Sequence, residues 1–257
     1  MLVVSLVLSL VRVAGRTEPD LEPSPARPVG PRLRAELAPG PAPTDRTLVR
    51  MLQALALEDP SAGRHAAAVA RNARALAQRA GLPERDQEIA HTAGLLHDIG
   101  KETSLRAIPV AERELRRGDH RKIRRHPVDG ARLVRAVPGL ELVADAVLSH
   151  HERLDGNGYP YGLRDRAIPP AARVVAVAEV YDVLTAPDSY RQALTAEQAL
   201  AELRGAAGTQ LDADLVEIFA TAVAGAEEAG SGDADLETEL RRRHPAGELL
   251  DAQPRRR

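Results

Sequence analysis

The stretch Ala93-Gly94-Leu95-Leu96-His97-Asp98-Ile99-Gly100-Lys101 decides both the fold and the chemistry of this chain. An imidazole and a carboxylate stand side by side at the end of an apolar helical turn, and a glycine and a lysine follow at once. The flanking leucines and isoleucine predict that His97 and Asp98 emerge from a turn that is otherwise buried. Because burying a carboxylate without a partner is costly, the pair predicts a metal site.

The same pattern returns in the doublet His150–His151, which follows the apolar stretch 143–148. Further nitrogen and oxygen donors occur at His65, His126 and Glu179. The chain has no cysteine, so the donors suit hard or borderline divalent ions, and their number suits two ions and metal-assisted hydrolysis. Three other histidines are interpreted as ordinary solvated or satisfied side chains: His91, His120 and His244.

Composition limits the class of protein. The 257 residues allow one domain of ordinary size plus tails. The chain has no Trp and one Phe, so its core must be aliphatic, and alanine-rich periodicity favours helix over strand. The net charge of −2 gives no reason to expect a DNA or RNA polymer as partner. The absence of cysteine is consistent with a reducing compartment.

The chain divides by composition into four segments. Residues 1–16 form a short apolar segment, too short to span a bilayer, that we interpret as a membrane-anchor remnant or weak interfacial anchor. Residues 17–45 are a proline-rich linker, residues 46–226 the catalytic domain, and residues 227–257 a disordered charged tail. We expect a cytoplasmic protein, and leave open both a membrane tether through the N-terminus and a homodimer.

The predicted domain is an all-α bundle of about seven or eight helices around a dinuclear metal site, because no stretch alternates with period two. Glycines 81, 100 and 205 stand where helices are expected to stop. The predicted helices are 47–57, 63–80, 84–99, 120–136, 139–151, 171–185, 195–205 and 211–226.

A glycine-rich loop follows the histidine doublet, from Glu152 to Leu163. Its three glycines, with Asp, Asn and Pro, predict a tight irregular connection. Loops that leave a metal centre commonly carry substrate contacts. We therefore predict substrate-binding residues here: Asp155, Gly158, Tyr159 and Pro160.

Taken together, these motifs resemble the HD-GYP branch of the HD metal-dependent phosphohydrolases. The resemblance rests on His-Asp-Ile-Gly-Lys, His-Pro and His-His-Glu-Arg-x-Asp-Gly-x-Gly-Tyr-Pro-x-Gly-Leu, and it covers residues 61–222. It implies an all-helical domain that hydrolyses the second messenger cyclic di-GMP to the linear dinucleotide pGpG or to GMP.

The resemblance also implies roles for individual residues. One ion would be held by His65, His97, Asp98 and Glu179, with Asp98 bridging to a second ion held by His126, His150 and His151. A water between the ions would attack phosphorus. Mn or Fe suits this donor set, and Zn or Ni can also occupy it. Lys101 would bind the scissile phosphate or protonate the leaving oxygen, Asp182 would hold Lys101, and Arg191 would contact the nucleotide.

The chain departs from the family pattern at several positions. Glu179 replaces the usual aspartate and keeps the carboxylate. Asp188 stands where the resemblance implies an arginine on the nucleotide, so we expect weaker binding or a changed substrate preference. Residues 102–106 replace the usual Gly-Ile-Pro stretch. Ser61 stands where members with a third metal have glutamate, so two metals are expected.

Two other functions stay open from the sequence. The domain can be an HD-type phosphohydrolase that acts on another nucleotide or phosphoester, which the change at Asp188 motivates. It can also retain the fold and the metals while it acts as a cyclic-dinucleotide sensor or scaffold. Hydrolysis compared with plain binding distinguishes an enzyme from a sensor, and a panel of phosphoesters distinguishes the substrates.

Overall fold

The computed structural model of the chain describes residues 60–101, 124–186 and 193–228. Within these ranges the chain is helical, and its only β-pairing is two isolated bridges, Asp155 with Arg164 and Ala207 with Leu211. The predicted all-α class is therefore confirmed. The α-helices are α1 (Pro60–Arg79), α2 (Glu84–Leu96), α3 (His126–Arg135), α4 (Glu141–Ser149), α5 (Pro170–Thr185), α6 (Ala196–Ala206) and α7 (Ala213–Glu228), with a short 3-10 helix at Asp165–Ala167.

Two helices end earlier than predicted. Helix α2 ends at Leu96 rather than 99, and α4 ends at Ser149 rather than 151. In both places the histidine that follows the helix donates a hydrogen bond from its ring to a backbone carbonyl of the last turn: His97 to Gly94, and His150 to Val147. These carbonyls have no hydrogen-bond partner inside the helix. Both His-containing doublets therefore lie just beyond a helix end. The predicted helix 47–57 and the predicted segments 1–16 and 17–45 lie outside the described residues, as does nearly all of the predicted tail.

The core is aliphatic, as the composition predicts. Helix α1 buries Val69, Ala73 and Leu76 at helical spacing. Helix α5 is buried on almost every side, with eleven buried residues between Ala171 and Leu184. A helix that is apolar all round belongs in the centre of a domain, and α5 packs against α1, α2, α4 and α6.

Close backbone contacts bring the motifs together. A Cβ on Gly94 of α2 would lie 2.7 Å from the Ala70 Cα of α1. A Cβ on Gly100 would lie 2.0 Å from the carbonyl oxygen of His126 and 2.5 Å from the Gly130 nitrogen. Because these positions have no side chain, the start of α3 packs directly on the turn that follows α2. His126 is thereby placed beside Asp98.

The chain divides into two compact units, residues 1–218 and 219–257. All of the predicted metal ligands belong to the first unit. The described part of the second unit is residues 219–228, the C-terminal portion of α7. Among the described residues, no helix combines the length and the apolarity that crossing a membrane requires.

Candidate metal centre

The first group of donors contains His65, His97 and Asp98. Each offers one ligand atom, and these atoms lie within 4.8 Å of one another. His65 comes from α1, whereas His97 and Asp98 follow the end of α2. The Asp98 Oδ2 atom is 3.3 Å from His97 Nε2 and 4.0 Å from His65 Nε2. Donors that are separated along the chain therefore converge on one point.

The second group contains His126, His150 and His151, whose ligand atoms also lie within 4.8 Å of one another. His126 begins α3, and the doublet follows α4. The Nε2 atoms of His126 and His150 are 3.2 Å apart. All three rings are buried. Three imidazoles that face one point in a buried space form the kind of nitrogen site that divalent transition metals occupy.

Asp98 lies between the two groups. Its Oδ2 atom faces His65 and His97, whereas its Oδ1 atom is 3.3 Å from Nε2 of His126. One carboxylate therefore presents one oxygen to each group, which is the geometry that a bridging ligand needs. The same Oδ2 also pairs with the ammonium of Lys101, which is buried.

Three of the histidines are oriented by an acceptor on their Nδ1 atom. His97 Nδ1 donates to the Gly94 carbonyl at 2.7 Å, and His150 Nδ1 donates to the Val147 carbonyl at 2.6 Å. His65 Nδ1 lies 2.6 Å from the Asp182 Oδ2 atom. A carbonyl only accepts, so the Nδ1 atoms of His97 and His150 carry a proton, and Nε2 is the atom that can bind a cation when the ring is neutral.

Burial and charge set the protonation of the site. Burial lowers the pKa of His150 and His151 well below the ordinary value, which keeps both rings neutral and able to bind a metal. Burial opposes protonation of His97 as well, but the charge and hydrogen bond of Asp98, together with the charge of Glu179, outweigh burial and raise the pKa of His97 to about 9. Although burial favours the neutral acid, the charges of His97 and Lys101 hold the pKa of Asp98 well below its usual range.

Glu179 is buried on α5, and its Oε2 atom lies 4.0 Å from Nδ1 of His151. The described contact is thus with the second group, whereas the resemblance implies the first. Burial raises the pKa of Glu179. A cavity of about 20 Å³ adjoins it and is lined also by His151 and Gln210. That volume is enough for one water molecule.

Asp182 differs from its predicted role. It was expected to hold Lys101, but its carboxylate contacts His65, and the ion pair of Lys101 is with Asp98. The reason is position: Asp182 lies on α5, which packs on α1, the helix that carries His65. We therefore assign Asp182 to orienting His65.

The donor set fits divalent ions by a direct structural observation. Buried ligand atoms in the first group and on Glu179 have no hydrogen-bond partner within the described part of the chain: His65 Nε2, His97 Nε2, Asp98 Oδ1 and Glu179 Oε1. Buried polar atoms are normally satisfied, and each orphan needs an explanation. Cations between these atoms would satisfy them, and the buried carboxylates would compensate the charge of the ions.

The glycine-rich loop is held by its own acidic residues. Glu152 accepts hydrogen bonds from the backbone of Tyr161 and Leu163 at 2.7 and 2.9 Å. The Asp155 carboxylate binds Arg153 through two nitrogens, at 3.0 and 2.6 Å. Asp155 was predicted to contact substrate, and the structure shows this internal contact, which already occupies both of its oxygens.

The centre of the loop lies against the histidine doublet. A Cβ on Gly158 would lie 2.4 Å from the Arg153 nitrogen and 2.5 Å from Cα of Glu152, so only glycine fits without a backbone shift. Tyr159 is buried, and its ring stacks on His151 with centroids 4.7 Å apart. The Tyr159–Pro160 peptide bond is cis. Substrate-binding roles for Gly158, Tyr159 and Pro160 stay predictions.

Some site features lie outside the sequence prediction or outside the described residues. Arg191 and Asp188 fall in the stretch 187–192, which the structure does not describe. Glu152 was quoted in the motif but given no role. Its position at the start of the glycine-rich loop is the signal that could have identified it, because carboxylates organise such turns by accepting from backbone N–H groups.

Comparison with known proteins identifies a family and several relatives. A family model described as HD domain matches residues 50–215. A cyclic di-GMP phosphodiesterase of Pseudomonas aeruginosa is 40% identical over 139 residues, which are 53% of this chain and 33% of the relative. A 3'3'-cGAMP-specific phosphodiesterase of Vibrio cholerae is 34% identical over 140 residues, 54% of this chain and 32% of the relative.

A solved structure extends the likeness to the fold. The crystal structure of a cyclic GMP-AMP specific phosphodiesterase of V. cholerae superposes with a TM-score of 0.60 at 19% identity, covering 81% of this chain and 55% of that one. The matched region spans about a third of the length of the two curated relatives. The chain belongs to the HD domain family, and its motifs place it in the HD-GYP branch.

Proposed function

We propose that this domain is a metal-dependent phosphodiesterase that hydrolyses cyclic di-GMP or a related cyclic dinucleotide to pGpG, GMP or both. The observation that carries the proposal is the position of Asp98, with one oxygen toward His65 and His97 and the other toward His126. A carboxylate shared by two imidazole-rich groups is suited to a pair of ions, and paired ions are typical of phosphodiester hydrolysis.

The two groups define the proposed ligand sets. His65, His97 and Asp98 would hold one ion, and His126, His150 and His151 the other, with Asp98 shared. Glu179 would complete the coordination through its unpartnered Oε1 atom. All-nitrogen and oxygen ligation favours Mn or Fe and allows Zn or Ni. Such ions supply an activated water and neutralise the charge that builds on the phosphate oxygens.

The chain's own side chains would orient and protonate the reactants. Lys101 is buried, and its ammonium lies on the Asp98 oxygen that faces the first group. From there it can donate to a phosphate oxygen or to the leaving oxygen. Asp182 would hold the His65 ring in place, as carboxylates behind metal-binding histidines do.

Cyclic di-GMP is the first substrate to test, because the P. aeruginosa relative is a cyclic di-GMP phosphodiesterase. The V. cholerae relative acts on 3'3'-cGAMP, so a hybrid dinucleotide is the second. Asp188, an anion where the resemblance implies a cation on the nucleotide, supports testing both.

The test is hydrolysis by the full chain, reconstituted without oxygen with Mn²⁺ or Fe²⁺, with metal content measured on the same sample. We expect about two ions per chain and conversion of cyclic di-GMP to pGpG or GMP. Asp98→Ala is expected to lose both metal and turnover, because the shared ligand serves both ions. An Asp98→Ala protein with full metal content would show that the ligand assignment is wrong.

The panel of substrates separates the alternatives. Turnover of 3'3'-cGAMP or another phosphoester, without turnover of cyclic di-GMP, would replace the proposed substrate. Two bound ions and tight cyclic dinucleotide binding without hydrolysis of any ester would indicate a sensor or scaffold. A membrane tether and a homodimer stay predictions from the sequence.

A further inference from the structure

We propose that Arg124 is a substrate-binding residue that contacts the second, non-scissile phosphate of a cyclic dinucleotide. The inference rests on the proposed function and adds to it a residue and the part of the substrate that this residue would bind. Arg124 lies two positions before His126, in the turn that leads into α3.

The guanidinium of Arg124 is fixed at the edge of the metal centre. Its Cζ atom lies 4.7 Å from the centroid of the Tyr159 ring. That ring stacks on His151, and its centroid is 6.5 Å from that of His126. A cation held on an aromatic face keeps its in-plane N–H groups available to an anion. Arg124 is thus anchored through Tyr159 to two proposed ligands of one ion.

Among the residues that the structure describes, no carboxylate forms an ion pair with Arg124, although its charge acts on the Glu152 carboxylate, which accepts hydrogen bonds from the loop backbone. Other arginines near the site are paired: Arg125 binds Asp129 at 3.3 Å, and Arg153 binds Asp155 at 2.6 Å. Arg124 is also exposed. An exposed, anchored guanidinium beside a buried cation centre is suited to a second anionic group of the same ligand.

The chemistry of the substrate supplies that group. A cyclic dinucleotide contains two phosphodiesters in one ring, and only one of them can occupy the metal centre at a time. The second would face the surroundings of the centre, where a planar guanidinium can bind two phosphate oxygens. A simple ester such as bis(p-nitrophenyl) phosphate has one phosphate only and would not reach Arg124.

The experiment compares Arg124→Gln and Arg124→Lys with the control Arg125→Gln in the Mn²⁺-loaded full chain. Arg125 is the neighbouring exposed arginine, and its replacement changes the charge equally. Four quantities are measured: metal content, kcat/KM for bis(p-nitrophenyl) phosphate, KM and kcat for cyclic di-GMP, and Kd for a phosphorothioate analogue of cyclic di-GMP.

For Arg124→Gln we expect KM and Kd of the dinucleotide to rise about 10- to 100-fold, the range for a lost charge-assisted hydrogen bond. Metal content, kcat and hydrolysis of the single-phosphate ester should stay near wild type. For Arg124→Lys, KM and Kd of the dinucleotide should lie between those of wild type and Arg124→Gln, because an ammonium keeps the charge but not the planar pair of donors. Arg125→Gln should leave all four measured quantities near their wild-type values.

Several results would overturn the assignment. Contact with a second phosphate would be excluded if Arg124→Gln left the Kd of the dinucleotide unchanged, or if Arg125→Gln raised that Kd equally. It would also be excluded if Arg124→Gln lowered kcat/KM for the single-phosphate ester as much as for the dinucleotide. A loss of metal would show that Arg124 only supports Tyr159 and His151. If the wild-type chain binds the analogue but hydrolyses no dinucleotide, the proposed function fails, and the Kd ratio still decides the role of Arg124.

Discussion

The histidine rings of the site differ in what holds them. His97 and His150 are oriented by carbonyls of their own helix ends, three residues back. His65 is oriented by the side chain of Asp182, 117 positions away. Backbone carbonyls cannot be removed by mutation, whereas Asp182 can. At the residue scale, Asp182 is therefore the place where orientation of a proposed ligand can be tested separately from the ligand itself.

We expect Asp182→Ala to weaken metal binding about 10- to 100-fold, the usual effect of losing the partner behind a metal-binding histidine. Asp182→Asn should lose less metal affinity, because its amide oxygen can still accept a hydrogen bond from Nδ1 of His65. Metal affinity is measured by competition with a chromogenic chelator. Asp145→Ala, which removes the exposed partner of Arg135, is the control. Wild-type affinity in Asp182→Ala would exclude the orienting role.

At the scale of elements, the backbone of the glycine-rich loop is packed so closely that position 158 has no space for a side chain. Gly158 packs on the backbone of Glu152 and Arg153. Glu152 and Asp155 accept hydrogen bonds from inside the loop, and Arg153 extends the network to Gln210 at 2.8 Å. The loop is thus tied to the turn between α6 and α7. The proposed substrate contacts on it would be positioned by this network.

Two glycine substitutions should have opposite effects. Gly158→Ala forces backbone atoms apart, and we expect it to lower the free energy of unfolding by about 1–3 kcal/mol. Gly205→Ala lies in α6 with nothing within 4 Å of its Cβ, and we expect a gain of about 0.5–1 kcal/mol from helix propensity. Urea unfolding measures both. Equal effects would contradict the described packing of the loop.

The Asp155–Arg153 pair should give an acid-dependent stability. Burial favours the neutral acid, but the hydrogen bonds from Arg153 and Asn157 outweigh it and lower the pKa of Asp155. A lowered folded-state pKa contributes stability above about pH 3.8, the unfolded value, that is lost as the pH falls through the folded-state value. Wild type should be more stable than Asp155→Asn at pH 7, and the difference should shrink toward pH 3. If the urea midpoints of wild type and Asp155→Asn differed by the same amount at every pH in this range, the Asp155–Arg153 pair would not be the source of the acid dependence.

The sequence predicted the elements better than it predicted their partners. Alanine-rich periodicity located the ends of the described helices within about three residues, except the start of α3, predicted at 120 and observed at His126. The apolar flanks of His97 and His150 indicated buried donors. Periodicity gives the face of a helix but not the element it meets. The contact of Asp182 with His65 and the stacking of Arg124 on Tyr159 depend on how distant segments pack, so neither was predicted. Glu152 was missed because the backbone N–H groups that donate to it lie in an irregular loop.

At the scale of the whole molecule, the proposed metal ligands lie on, or directly after, the five helices α1 to α5. Buried nitrogen and oxygen atoms without partners destabilise the metal-free chain, and ions that bind only the folded state stabilise it by mass action. The increase in the free energy of unfolding on metal binding therefore measures how strongly the site stabilises the fold.

Free Mn²⁺ at 100 times its Kd should stabilise the folded chain by about 2.7 kcal/mol and raise the Tm by roughly 5–10 °C. A chelator should reverse the shift. Differential scanning fluorimetry with and without Mn²⁺ measures it, and Asp98→Ala is the matched variant in which the shift should disappear. An equal shift in Asp98→Ala would place the responsible ion elsewhere.

The spread of the donors along the chain has a consequence for biosynthesis. His65 lies near the start of the described domain, and its partner Asp182 is 117 positions later. Because a ribosome releases the chain from its N-terminus at about 5–20 residues per second, the early histidines are made many seconds before the site can close. The proposed site is therefore complete only after translation has passed residue 182 and α5 has packed on α1.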